Sequence, residues 1–131
     1  MLAQSTIMAT ILVVEDDRDL RQMFKTALTL AEHRVLEAES GFRALQLLDT
    51  VQPDLIVLDL GLPGLSGFVV REEVAASATT REIPVVVVTA MPGAHDDLGV
   101  ACVLRKPVST ETLLKTIADC LASGRGGAVA G

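Results

Sequence analysis

A chain of 131 residues is one domain's worth, enough for a single core, and with half of its residues hydrophobic but only 2% aromatic that core must be aliphatic. The formal net charge of −6 excludes the broad basic footprint of a nucleic-acid binder and leaves room for protein partners and cations. No apolar run approaches the roughly 20 residues that span a bilayer, and the opening residues lack the basic start and long apolar stretch of a secretory leader, so a cytoplasmic domain without membrane contact is expected.

Residues 1–9 read as an N-terminal extension, with Met8 as an alternative start. Ile11, Leu12, Val13 and Val14 form a continuous apolar run stopped by Glu15, Asp16 and Asp17, the pattern of a strand buried on both faces. Leu20, Phe24, Ala27, Leu28 and Ala31 then recur at helical spacing, with Arg18, Arg21 and Lys25 on the other side. Asp17 either caps this helix or is an acid favoured by its dipole. A weaker strand is expected over 34–38, and Ser40 predicts the cap of a helix through Ala44, Leu45 and Leu48.

Pro53 ends that helix, and Leu55, Ile56, Val57 and Leu58 make a second buried strand stopping at Asp59. Gly61, Leu62, Pro63, Gly64 and Leu65 form a turn-forming loop, after which Ser66 can cap a helix reaching about Ala76. The most β-prone run follows Pro84, from Val85 to Val88, and ends at Thr89. Met91, Pro92 and Gly93 are poor helix material, so a fourth helix is expected to be a short turn around 95–98 or absent. Residues 101–104 make a last short strand before Lys106 and Pro107, and Ser109 caps a closing helix with Leu113, Leu114, Ile117 and Leu121 on its apolar side. One domain over 10–122 and a flexible Gly/Ala-rich tail over 123–131 are the expected boundaries. Cys102 and Cys120 fit neither a disulfide framework nor a metal motif and read as small buried hydrophobes.

Strands alternating with helices predict an α/β fold with a parallel sheet, right-handed crossovers and helices on both faces. In such a sheet ligands bind beyond the carboxyl ends of the strands. The residues there are Glu15 and Asp16, then Asp59, Thr89 and Lys106. Taken singly each has an ordinary reading: helix-start acids, a solvated loop aspartate, a strand-end threonine, a surface lysine. Taken together they place three carboxylates, a hydroxyl and an ammonium on one rim. Clustered carboxylates need a compensating cation, oxygen-only ligands suit Mg²⁺, and a carboxylate can accept a phosphoryl group whose oxygens Lys106 would neutralise.

The segments ILVVEDD (11–17), DLIVLDLGLPGLSG (54–67), VVVVTA (85–90) and RKP (105–107) resemble, in order and spacing, the response-regulator receiver domains of two-component signalling, the CheY-like family. The resemblance covers about residues 10–121. It implies a flavodoxin-like, doubly wound, five-stranded sheet in the order 2-1-3-4-5. It further implies Asp59 as phosphoacceptor, charged from a phosphohistidine on a histidine kinase or histidine phosphotransfer protein. Asp16 would be a direct Mg²⁺ ligand beside Asp59, Glu15 the neighbouring acid acting through water, and the Gly61 backbone carbonyl a further ligand. Thr89 would be the switch hydroxyl, Ala90 the small residue that gives it access, and Lys106 the partner of the phosphoryl oxygens, with a cis Lys106–Pro107 bond.

Two departures from the family pattern bear on output. The aromatic residue many receivers carry three positions before the lysine is here Val103, and the stretch from Thr89 to Lys106 is short by roughly one and a half helical turns. The usual dimer surface, built from fourth helix, fifth strand and fifth helix, is therefore not expected to serve. The expected function is that of a self-phosphorylating phosphorelay domain, not an enzyme of turnover, either stand-alone or excised from a hybrid kinase, whose phosphorylation changes a protein-binding surface. The alternative is a degenerate receiver that binds partners without phosphoryl chemistry. An aspartyl-phosphate hydrolase would need a second acid near Asp59, and Leu60 and Gly61 supply none.

Overall fold

The computed structural model describes residues 8–91 and 100–130, the last seven by their backbone alone. Along the chain come β1 (Thr10–Val14), α1 (Arg18–Leu30), β2 (Arg34–Ala38), α2 (Gly41–Leu48), β3 (Leu55–Leu58), α3 (Gly67–Ala76), β4 (Val85–Thr89), β5 (Cys102–Arg105) and α4 (Thr110–Ala130). The strands form one sheet in the order β2-β1-β3-β4-β5, every pair parallel. Strand order reverses between β1 and β3, so a crevice opens at their carboxyl ends.

The continuous apolar strands follow from burial on two faces. Ile11 and Val13, Leu55 and Val57, and Val86 and Val88 meet Phe24 and Leu28 of α1 and Leu113, Ile117 and Leu121 of α4. The alternate residues Leu12 and Val14, Ile56 and Leu58, and Val85 and Val87 meet Ala44 of α2 and Val70 and Val74 of α3. Each fully buried Val or Leu stabilises the fold by about 1.5–3 kcal/mol, and Phe24 is the single aromatic residue in either layer. The aliphatic core expected from composition is what packs.

Helix starts are set by local side chains. Asp17 caps α1 by accepting from the Leu20 amide at 3.0 Å. Ser40 accepts from Arg43 at 3.1 Å, Ser66 from Val69 at 3.4 Å and Ser109 from Thr112 at 3.0 Å. The first helix ends where Glu32 takes a left-handed φ of 71°, so that the His33 amide returns to the Leu28 carbonyl at 3.0 Å.

Two expectations need adjustment, and a third lies beyond what the structure describes. Helix α4 runs to Ala130, so the backbone is helical over residues that composition reads as a Gly/Ala-rich tail. Cys102 and Cys120 are free thiols but only half-buried, not core residues: β5 is an edge strand, and Cys120 flanks the buried face of α4. The expected short or missing fourth helix, with its histidine at position 95, lies outside the described residues.

Candidate functional site

Because the strands are parallel, every carboxyl end reaches the same rim, and the sheet ladder itself sets the first residue beyond each strand. The Glu15 amide donates to the Ala38 carbonyl at 3.1 Å, the Asp59 amide to Val14 at 3.1 Å, and the Lys106 amide to Thr89 at 3.0 Å. Backbone bonds thus place these side chains more firmly than a loop would.

Glu15 is 2% and Asp59 5% exposed, while Asp16 stands at the open edge. One carboxylate oxygen from each of the three lies within 4.8 Å of the others. Lys106 Nζ sits between the two buried acids, 2.9 Å from Glu15 Oε1 and 3.0 Å from Asp59 Oδ2. The remaining oxygens are taken by backbone amides: Asp17 N–H donates to Glu15 Oε2 at 3.1 Å, and Gly61 N–H to Asp59 Oδ1 at 3.0 Å. Among the described residues no buried side-chain polar atom lacks a partner, as burial of charge requires.

Burial pushes the Glu15 carboxyl above its ordinary range, and the nearby Asp59 charge adds to this. The Lys106 ammonium and the Asp17 amide pull against it. For Lys106 burial works against the charged form, but hydrogen bonds and charges from Glu15 and Asp59 outweigh it and its pKa rises. Three carboxylates facing one ammonium remain short of positive charge. An oxygen-only donor set of this kind fits a hard divalent cation such as Mg²⁺.

The structure brings Glu15, Asp16, Asp59 and Lys106 together directly. Gly61 touches the group through its amide. Thr89 is fully buried at the end of β4, its hydroxyl accepting from the Met91 amide at 3.1 Å, with Ala90 exposed beside it. Lys106–Pro107 is a cis peptide. Val103 packs on the α2–α3 side of the sheet, paired with Val87.

Two residues at the rim escape a reading of the sequence. Gly67 begins α3 so close to β3 that a Cβ there would overlap the Asp59 carbonyl oxygen and the Leu60 Cα. Its only sign is the Ser-Gly pair at a helix start. Arg21, which periodicity assigns to the solvated side of α1, instead donates from Nη1 to the Glu15 carbonyl at 2.8 Å.

A family profile described as "Response regulator receiver domain" matches residues 11–118. The protein PilH of Pseudomonas aeruginosa is 38% identical over 122 residues, which cover 88% of this chain and 99% of PilH. The transcriptional regulatory protein AfsQ1 of Streptomyces coelicolor is 40% identical over 93 residues, or 71% of this chain and 39% of that longer protein. The chemotaxis response regulator CheY4 of Vibrio cholerae superposes with a TM-score of 0.80 at 29% identity, covering 86% of this chain and 98% of CheY4. A CheY-like receiver domain protein from Methanospirillum hungatei gives a TM-score of 0.84 at 21% identity, covering 92% and 99% of the two chains; at that identity it speaks for the fold alone.

Proposed function

The chain belongs to the response regulator receiver family of two-component signalling, and from that premise we propose that Asp59 accepts a phosphoryl group from a phosphohistidine. The observation that carries this is the Lys106 ammonium held 3.0 Å from Asp59 Oδ2 in a buried acidic pocket. A carboxylate oxygen of Asp59 attacks phosphorus, the P–N bond breaks, and its electron pair stays on the imidazole nitrogen, leaving an acyl phosphate. Lys106 faces the charge on the phosphoryl oxygens from a fixed position, so little reorganisation accompanies transfer.

Glu15, Asp16, Asp59 and the Gly61 carbonyl would hold Mg²⁺, which supplies further positive charge to those oxygens. Glu15 already spends both oxygens on Lys106 and the Asp17 amide, which suits an acid acting through water. The Thr89 hydroxyl, now engaged with the Met91 amide, would turn toward the new phosphoryl group and reshape the end of β4. The donor is a histidine kinase or histidine phosphotransfer protein, met in the cytoplasm. No described helix is long and apolar enough to cross a membrane. With Val103 in place of an aromatic and a short β4–β5 connection, output does not pass through the usual dimer face. A dimer built on that face in the beryllofluoride-bound state would contradict this.

Incubation with acetyl phosphate and Mg²⁺, followed by intact-protein mass spectrometry, tests the proposal. One phosphoryl group is gained by the wild type and none by Asp59→Asn. No gain in the wild type, either from acetyl phosphate or from a kinase, would instead make the domain a phosphorylation-independent binding module. The complete set of Glu15, Asp16, Asp59, Thr89 and Lys106 argues against that outcome.

A further inference from the structure

The carbonyl of Glu15 lies one residue past the paired part of β1. Strand β2 pairs with β1 as far as Val14 and Ala38, and the Glu15 amide adds one more bond, to Ala38. Beyond it the chain turns into α2, capped by Ser40. The donor that reaches the Glu15 carbonyl is then a side chain, Arg21 Nη1 at 2.8 Å. Arg21 sits one turn into α1, its own amide donating to the Asp17 carbonyl at 2.9 Å. Its side chain points back along the helix toward the rim, the direction helical side chains favour.

The Arg21 side chain is 17% exposed, and its guanidinium is itself held. Arg21 Nε lies 3.3 Å from Glu37 Oε1, and the other oxygen of Glu37 is held by Lys25 Nζ at 3.0 Å. Arg21 therefore bridges β2 and the peptide between Glu15 and Asp16, using two edges of one planar group. That peptide carries both acids on its ends, so its orientation sets where their Cβ atoms point.

We propose that Arg21 is a positioning residue for the cation site, holding the Glu15–Asp16 peptide so that both carboxylates face the pocket. The proposal rests on the reading of the acidic cluster as a Mg²⁺ site. It also makes a prediction of opposite sign to simple electrostatics. A bystander cation beside an acidic pocket opposes Mg²⁺, so its removal would tighten binding. A residue that orients the ligands does the reverse: its loss loosens binding. Outer partners of metal ligands commonly change affinity by 10- to 100-fold.

The test is a Mg²⁺ titration of the full chain followed by ¹⁵N NMR, reading the amides of Asp16, Asp59 and Gly61. Arg21→Ala is expected to bind Mg²⁺ about 10-fold more weakly than the wild type. Arg21→Lys keeps the charge but has no fork to serve Glu37 and the Glu15 carbonyl together, and a smaller loss in the same direction is expected. Glu37→Gln, which loosens the guanidinium, is expected to follow Arg21→Lys. Equal or tighter binding by Arg21→Ala overturns the proposal. Should urea denaturation show that Arg21→Ala is unfolded, Arg21→Lys decides, and wild-type affinity there overturns it. A wild type whose amides do not respond to Mg²⁺ overturns the cation site itself, a result distinct from failure of the Arg21 role.

Discussion

Lys106 Nζ lies 3.0 Å from Asp59 Oδ2 even though β4 runs between the strands that carry them. The same nitrogen is 2.9 Å from Glu15 Oε1, at the end of β1. One ammonium thus serves two buried carboxylates drawn from different strands. Its removal leaves both without a counter-charge, a situation that costs far more than a surface pair.

Lys106→Met is accordingly expected to lose about 2 kcal/mol at pH 7 in metal-free buffer, below the full penalty for a buried pair because Lys106 is itself partly exposed. Mg²⁺ should restore more stability to this variant than it adds to the wild type, since the acids then lack any other cation. Urea denaturation with and without Mg²⁺ measures both effects. A variant as stable as the wild type without metal would contradict the bridging role.

Gly67→Ala tests how closely α3 presses on the acceptor strand. The added methyl would overlap the Asp59 carbonyl oxygen and the Leu60 Cα, both backbone, so the helix start must shift. A loss of about 1–3 kcal/mol is expected, together with weaker Mg²⁺ binding because the moved backbone is that of Asp59. Thermal unfolding and the NMR titration report the two effects. Unchanged values in both would mean that α3 can slide without cost.

Glu32 offers the opposite case. It holds a left-handed φ of 71° at the end of α1, a conformation that costs a residue with a Cβ about 1 kcal/mol relative to glycine. Glu32→Gly is expected to raise unfolding free energy by about that amount, measured by urea denaturation, with Mg²⁺ affinity unaltered. A destabilised variant would show that the Glu32 side chain matters more than its backbone.

His33 provides a pH-dependent contact far from the acidic rim. Its Nδ1 accepts from the Ala9 amide at 3.2 Å, and burial lowers its pKa below the ordinary 6.5. Between these two values the unfolded chain binds more protons than the folded one, so stability rises with pH there. The contribution is fully present above 6.5 and is lost as pH falls through the lower folded value. His33→Gln should flatten this part of the stability profile, below the ordinary histidine value of 6.5. A slope that survives the substitution would assign it to other groups.

Much of the fold was legible in single segments. A run such as Ile11 to Val14, apolar at every position, can be satisfied only by burial on both faces, and the first charged residue must mark its end. That reasoning located Glu15 and Asp59 at strand ends, while serine and aspartate caps located the helix starts; Lys106 stands one residue past a charged strand residue, Arg105, at the end of the half-buried edge strand β5. The extent of α4 was less legible, because the Gly and Ala residues at its end offer no apolar periodicity to follow, although the backbone is helical to Ala130.

Arg21 and Gly67 mark the limit of such reasoning. Helical periodicity placed Arg21 among solvated cations, since it cannot see the Glu15 carbonyl just beyond β1, six residues earlier. Gly67 looks like any helix-start glycine until β3 is packed beneath it.

By itself, then, the sequence determined which chemical groups stand at strand ends, because burial and capping are local rules. Only the tertiary structure decided that Lys106 bridges Asp59 and Glu15 and that Arg21 turns inward to the Glu15 peptide. Such contacts depend on strand order and crossover geometry, and the Lys106–Asp59 pair joins residues 47 positions apart. No pattern confined to one helix or one strand encodes that distance.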